Sequence, residues 1–128
     1  MIQQFSASER RQHPRIDKNI PLKISTADID LVTETKNLSR TGVYCRVNKY
    51  IAPMTKLKIH LLLPVKKGAK TTTKKISCSG VIVRSEAISK DNDEFSVAIY
   101  FNDIPTRDAD AIADYIEKFF KPAKENVI

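Results

Sequence analysis

The 128-residue sequence contains no Trp, three Gly, six Pro and two Cys. Little Gly and Pro excludes collagen-like and low-complexity chains, and two isolated cysteines exclude a disulfide-stapled scaffold. The longest apolar run, Ile59 to Val65, is interrupted by His60 and Pro64, so no segment is long enough to insert into a membrane. Because the N-terminus also lacks the apolar stretch of a secretory signal, we expect a protein of the cytoplasm.

The sequence does contain enough apolar material for one domain, together with an excess of positive charge. Hydrophobic residues make up 41% of the chain, and 22 Lys and Arg stand against 15 Asp and Glu, for a net charge of +7. The basic residues are concentrated in residues 10–15, 36–49 and 66–75, whereas most acidic residues follow Glu86. This uneven charge favours an anionic partner. For the lysines of residues 66–75, the favoured interpretation is a solvated connection between two strands that opposes aggregation.

Alternating apolar residues predict six strands, in the segments 20–24, 29–36, 43–47, 57–63, 76–84 and 95–101. Each has the period of two expected of a strand with one buried face. Only residues 105–121 have the three- and four-residue spacing of an amphipathic helix. Because closure of a sheet removes its exposed edges, we predict a mainly β fold, a six-stranded antiparallel β-barrel with a C-terminal α-helix. The predicted domain spans residues 9–120, between a flexible arm over residues 1–8 and a tail over residues 122–128.

The sequence lacks the residue arrangements that catalysis usually requires. His13 and His60 have no partner at metal-ligand spacing. Cys45 and Cys78 lie within apolar alternation, which is typical of buried reduced thiols. The three glycines are too far apart for a phosphate-binding loop. We therefore predict a protein that is not an enzyme and that has no metal and no cofactor.

Two short polar motifs remain, residues 10–15 (RRQHPR) and residues 37–42 (NLSRTG). The first predicted strand leads away from Arg15 and the second returns to Asn37, so the hairpin should bring both motifs to one end of the barrel. Arginine forks match a phosphate or the O6/N7 edge of guanine, and the amide oxygen of Asn37 can accept a hydrogen bond from guanine. Ser39 supplies a hydroxyl, and Gly42 allows positive φ and close approach to the backbone. These residues outline a guanine-nucleotide site: Arg10, Arg11, Arg15, Asn37, Ser39 and Gly42.

Plainer interpretations of both motifs stay open. The three arginines have the composition of a solvated basic arm. Asn37 and Ser39 are also residues that form turns by bonding their own backbone.

The spacing Arg-Arg-x-x-x-Arg, followed about twenty residues later by Asn-x-Ser-x-x-Gly, resembles the signature of the PilZ domain, the bacterial receptor for cyclic di-GMP. Residues 80–84 and 95–101 resemble later parts of the family pattern, so the resemblance covers residues 9–120. It implies that Arg10, Arg11, Arg15, Asn37, Ser39 and Gly42 bind cyclic di-GMP. It also implies that an arginine at position 10 accompanies two stacked, intercalated cyclic di-GMP molecules per chain. The implied output is a changed surface that regulates a partner protein in motility, biofilm formation or polysaccharide production.

Two other classes of function stay open. An adaptor of PilZ fold that binds only a protein would typically lack the arginines present here. A small basic barrel for single-stranded nucleic acid would need exposed aromatic rings on which bases stack. Only Tyr44 and Tyr50 lie near basic strands, so a nucleic-acid partner is the weaker alternative.

Overall fold

A computed structural model describes residues 14–89 and 93–119. Its elements in chain order are β1 (Arg15–Ile16), β2 (Pro21–Ser25), β3 (Asp30–Ser39), β4 (Gly42–Val47), β5 (Lys56–Lys67), β6 (Lys70–Ser89), β7 (Glu94–Asp103) and α1 (Thr106–Glu117). Arg10 and Arg11, the predicted arm over residues 1–8 and the predicted tail over residues 122–128 lie outside the described residues.

Six of the described strands form a closed antiparallel ring. The hydrogen-bonded order is β3, β2, β5, β6, β7 and β4, and β4 pairs back to β3. This closure confirms the predicted six-stranded barrel. The additional strand β1 pairs Arg15 with Ser39 and Ile16 with Leu38. Two residues are too few to show an alternation, so the apolar pattern does not reveal β1.

The core consists of the inward faces of the ring and one face of α1. Buried residues alternate along the strands as predicted, among them Leu22, Ile24, Val43, Cys45, Val47, Leu57, Ile59, Leu61, Leu63, Val97 and Ile99. Full burial of each Leu or Ile side chain stabilises the fold by about 1.5–3 kcal/mol. From α1, Ala109, Ile112 and Ile116 are buried.

The helix α1 is shorter than the predicted span of residues 105–121. Pro105 precedes it with extended backbone (φ −58°, ψ 139°), and the helix ends at Glu117. Ion pairs join α1 to its neighbours: Arg40 contacts Asp110 at 2.8 Å, and Lys74 contacts Asp108 at 3.6 Å. In the described part of the chain, no helix is long and apolar enough to cross a membrane.

Between β1 and β2 the chain leaves the sheet, and Thr35 of β3 fills the gap. Thr35 is fully buried. Its Oγ1 accepts a hydrogen bond from the backbone N–H of Ile20 at 3.0 Å and donates one to the carbonyl of Lys18. Because these bonds replace the missing strand pairing, β1 stays against β3 and Arg15 stays in register with Ser39.

The hairpin of β5 and β6 extends beyond the barrel. The strand β2 accompanies β5 only as far as Leu61, and β7 accompanies β6 only from Ser79 onward. Within the described chain, residues 62–75, here called the basic ribbon, therefore pair only with each other. Leu63 at the base of the ribbon is still buried in the core. The lysine-rich stretch is thus two strands and a tight turn rather than a loop. Its threonines favour strands, but alternation is missing because residues 66–73 are exposed on both faces.

Candidate functional site

Arg15, Asn37 and Ser39 meet where β1 pairs with β3. The Nε of Arg15 donates a hydrogen bond to Oδ1 of Asn37, and its Nη1 donates one to Oγ of Ser39 at 3.1 Å. Gly42, the first residue of β4, is paired with Ser39 across the hairpin. The structure thus brings together the four predicted site residues that it describes.

Among the described residues, the guanidinium of Arg15 has neutral partners only. It is half-buried and lies over the ring of Tyr44, with 5.5 Å between the guanidinium carbon and the ring centroid. Partial burial lowers the pKa of Arg15 from its ordinary value, and Tyr44 opposes that shift. Among residues 14–89 and 93–119, no carboxylate forms an ion pair with Arg15, and its Nη2 has no hydrogen-bond partner. A partly desolvated cation in such surroundings gains strongly from a bound anion.

The amide of Asn37 links two charged side chains. Its Oδ1 accepts from Arg15, and its Nδ2 donates to Oδ1 of Asp17 at 2.8 Å. The side chain does not bond its own backbone, so the turn interpretation does not hold for Asn37. Asp17 is a site residue that sequence reasoning missed. Its spacing of two from Arg15 becomes informative only once β1 is known to be a strand.

Ser39 stabilises the turn as well as contacting Arg15. It is fully buried, and its Oγ accepts a hydrogen bond from the backbone N–H of Thr41 at 3.2 Å. The same oxygen lies 3.3 Å from the carbonyl of Gly42. For Ser39, therefore, the turn interpretation is correct, and the hydroxyl also fixes one nitrogen of Arg15.

Gly42 has a different role from the one its turn motif predicts. It does not adopt positive φ; among the described glycines only Gly68 does, at +65°. A Cβ at position 42 would instead overlap the backbone carbonyl oxygen of Ile99 on β7. Glycine is thus required for the close approach of β4 and β7, which forms the floor beside Arg15.

A shallow surface pocket lies beside Gly42. Arg15 and Tyr44 contribute to its lining, and Val83 of β6 and Tyr100 of β7 complete it. Val83 and Tyr100 are 55% and 50% exposed. Flat apolar surfaces next to a guanidinium suit a purine ring that carries a phosphate. The sequence predicted Arg15 and Gly42 as site residues, and it singled out Tyr44 only as a stacking ring for the nucleic-acid alternative. It missed Val83 and Tyr100, because alternation shows which residues face outward but not which of them share a pocket.

A second groove lies between β3 and β4, and its charge suits an anion poorly. Asp30, Glu34 and Glu94 contribute carboxylates to its lining, against the cations of Lys36 and Arg46. These carboxylates repel a phosphate because both carry negative charge. The pocket at Arg15 is therefore the better candidate for a nucleotide.

The described residues provide no evident catalytic or metal-binding cluster. No group of three or more His, Cys, Asp and Glu side chains comes together among them. Burial raises the pKa of the Cys45 thiol to about 12 and that of Cys78 to about 11, so both stay protonated at neutral pH and are poor nucleophiles. The Nδ1 of His60 lies 2.9 Å from Oγ of Ser77. His13 lies outside the described residues.

Comparison with known families assigns this small β-barrel to a family. The model of the PilZ domain family matches residues 9–118. The chain therefore belongs to the PilZ domain family, which confirms the resemblance of its motifs. No curated protein sequence matches this chain.

Two solved structures share the fold. The Bacillus subtilis Inhibitor of motility (MotI/DgrA) has a TM-score of 0.73 and 19% identity over 88% of this chain and 52% of its own. The PilZ domain of YcgR from Escherichia coli, determined with c-di-GMP, has a TM-score of 0.59 and 13% identity over 92% of this chain and 97% of its own. The chain thus spans about half the length of the B. subtilis protein. At these identities the similarity establishes the fold.

Proposed function

We propose that this PilZ domain is a cytoplasmic receptor for cyclic di-GMP, a binding domain rather than an enzyme. The observation that carries the proposal is Arg15, a half-buried guanidinium that Asn37 and Ser39 hold beside an open pocket. The family supports it, since the similar PilZ domain of YcgR was determined with c-di-GMP.

The residues of the site have distinct proposed roles. Arg15 binds a phosphate or the edge of a guanine, while Tyr44 and Tyr100 flank the purine ring. Asn37 offers its half-buried amide to the ligand and, together with the fully buried Ser39, orients Arg15. Gly42 keeps the pocket floor free of a side chain. Arg10 and Arg11 complete the family motif and supply further cations.

The proposed stoichiometry is two intercalated cyclic di-GMP molecules per chain, and it depends on Arg10. Two such molecules bring four phosphates into one site. A third guanidinium both offsets this charge and stacks on the additional guanine. The Arg10→Leu variant should therefore bind one molecule or bind weakly. A ratio of one for the unmodified protein would contradict this stoichiometry while leaving the receptor proposal intact.

The proposed output is a ligand-dependent change of surface that regulates a partner protein. Of the candidate processes (motility, biofilm formation and polysaccharide production), motility has the most support, because the similar B. subtilis protein is an inhibitor of motility. An adaptor that contacts its partner without nucleotide is the second candidate function. A titration with cyclic di-GMP separates the two, because only the receptor binds the nucleotide.

Isothermal titration calorimetry with cyclic di-GMP tests the proposal. GMP and an oligonucleotide, each titrated separately, are the control ligands. A charge-assisted hydrogen bond contributes about 1.5–3 kcal/mol, so Arg15→Ala or Arg11→Ala should weaken binding at least about tenfold. The matched control is Arg107→Ala, which removes an exposed guanidinium from α1. Unchanged affinity in both site variants would overturn the site, and equal binding of GMP would overturn the ligand.

A further inference from the structure

The basic ribbon carries a concentrated positive charge that the described residues compensate at one lysine only. Residues 57–85 contain no Asp or Glu. The ribbon itself has five lysines: Lys66, Lys67, Lys70, Lys74 and Lys75. Lys74 contacts Asp108 at 3.6 Å, whereas the other four form no ion pair with any residue that the structure describes. Their charges are therefore available to an external anion.

The tip of the ribbon brings two of these positive charges close together. Lys67 and Lys70 lie directly opposite each other across the turn, which Gly68 makes possible with φ of +65°. Like charges directly opposite in a strand pair destabilise it. An arrangement that weakens the free protein in this way is typical of a surface used for binding.

One face of the ribbon combines ammonium and hydroxyl donors. Residues paired across an antiparallel ladder share a face, so Lys66 lies with Thr71, and Lys75 lies on the same side with Thr73 two residues before it. Lysine, serine and threonine side chains are the usual donors to phosphate oxygens of a nucleic-acid backbone. Lys67 and Lys70 lie on the opposite face, so both faces of the tip offer cations to phosphates on the two sides of a groove.

The shape of the ribbon selects among polyanions. The exposed part of the ribbon begins at Thr73, which pairs with Pro64, and the pair Lys67–Lys70 lies three residues beyond that pair, a distance of about 10 Å at a rise of about 3.3 Å per residue. The major groove of B-DNA, about 12 Å wide and about 8.5 Å deep, admits a two-stranded ribbon. Single strands are bound by stacking on aromatic rings, and residues 62–75 contain none. Duplex phosphates require only cations and hydroxyl groups.

We propose that the basic ribbon is a docking surface for double-stranded DNA. The ribbon enters the major groove and contacts phosphates of the DNA backbone without reading the base sequence. This contact does not require cyclic di-GMP, so it stands apart from the receptor function. The sequence made a nucleic-acid partner the weaker alternative because it offers few aromatic rings for stacking. That argument disfavours single strands but not a duplex, and the ribbon shape of the basic stretch favours a duplex.

Fluorescence anisotropy of a labelled two-turn duplex, titrated with the full chain between about 50 and 200 mM salt, tests the proposal. Each phosphate contact contributes about 0.9 to the slope of log affinity against log salt. The triple variant Lys66→Gln, Lys67→Gln, Lys70→Gln should bind about tenfold or more weakly and lose about 2 to 3 from that slope. Replacing the same three lysines by Arg should preserve binding.

The matched control removes the same charge from exposed lysines outside the ribbon, with Lys36→Gln, Lys49→Gln and Lys56→Gln. It should retain most of the affinity, and circular dichroism should show both triple variants folded. Equal losses in the two triples would overturn the ribbon as the contact. Equal or tighter ribbon-dependent binding to a single strand, to heparin or to vesicles of anionic lipid would overturn the duplex as the partner.

Discussion

Arg15 and the basic ribbon present positive charge at the same end of the barrel in two different ways. Both β3 and β5 run antiparallel to β2, so Ser39 and Lys67 lie toward the same end. Arg15 is half-buried and is oriented by Asn37, Ser39 and the ring of Tyr44. Four of the ribbon lysines are exposed and have no ion-pair partner within the described chain.

This difference shows how one fold can separate two kinds of recognition. A guanidinium held by fixed acceptors presents a defined geometry, which suits a small ligand with few phosphates. Exposed lysines act mainly through their summed charge, which suits an extended polyanion and is screened by salt. The site depends on the packing of the barrel, whereas the exposed tip of the ribbon, residues 66–73, does not. Pairs of equivalent substitutions at the two places measure that difference.

The largest contrast is expected between two glycines. In Gly42→Ala the new Cβ would overlap the Ile99 carbonyl oxygen, and backbone cannot easily move away, so the free energy of unfolding should fall by about 3 kcal/mol. In Gly68→Ala no atom lies within 4 Å, and only the positive φ opposes the change, at about 1 kcal/mol. Urea unfolding measures both. Equal losses would mean that the approach of β4 to β7 does not depend on Gly42.

A smaller contrast is expected between two threonines. Thr35→Val leaves the buried N–H of Ile20 and the carbonyl of Lys18 without their hydroxyl partner, which should cost about 1–3 kcal/mol of stability. Thr71→Val on the ribbon makes the same chemical change at an exposed position and should stay within about 0.5 kcal/mol. Thermal unfolding compares the two variants, and a neutral Thr35→Val would show that β1 needs no support from Thr35.

The smallest effect is expected from charge reversal at the ribbon tip. Lys67→Glu replaces a repulsive pair with Lys70 by an attractive one, so it should stabilise the protein by about 0.2–1 kcal/mol at low salt. The gain should fade as salt screens the exposed charges. Denaturation at two salt concentrations measures the sign of the change in the free energy of unfolding. A loss of stability at low salt would contradict the proposed repulsion between Lys67 and Lys70.

The sequence by itself determined the features that depend on neighbouring residues along the chain. Alternation at Ile20, Leu22 and Ile24, and in the five later strands, predicted the buried face correctly, because successive strand residues point to opposite sides whatever lies across the sheet. The two motifs also predicted that Arg15 and Asn37 meet, since a hairpin of nearly equal arms must return to its start.

Only the tertiary structure decided what depends on residues that are distant in sequence. Gly42 is required because Ile99 of β7 lies against it, and the pocket exists because Val83 and Tyr100 reach the same place from two other strands. The basic stretch became a projecting ribbon because β2 and β7 stop short of it. Local patterns report which side of a strand is buried, but the neighbours of each exposed side chain are set by how the ring closes.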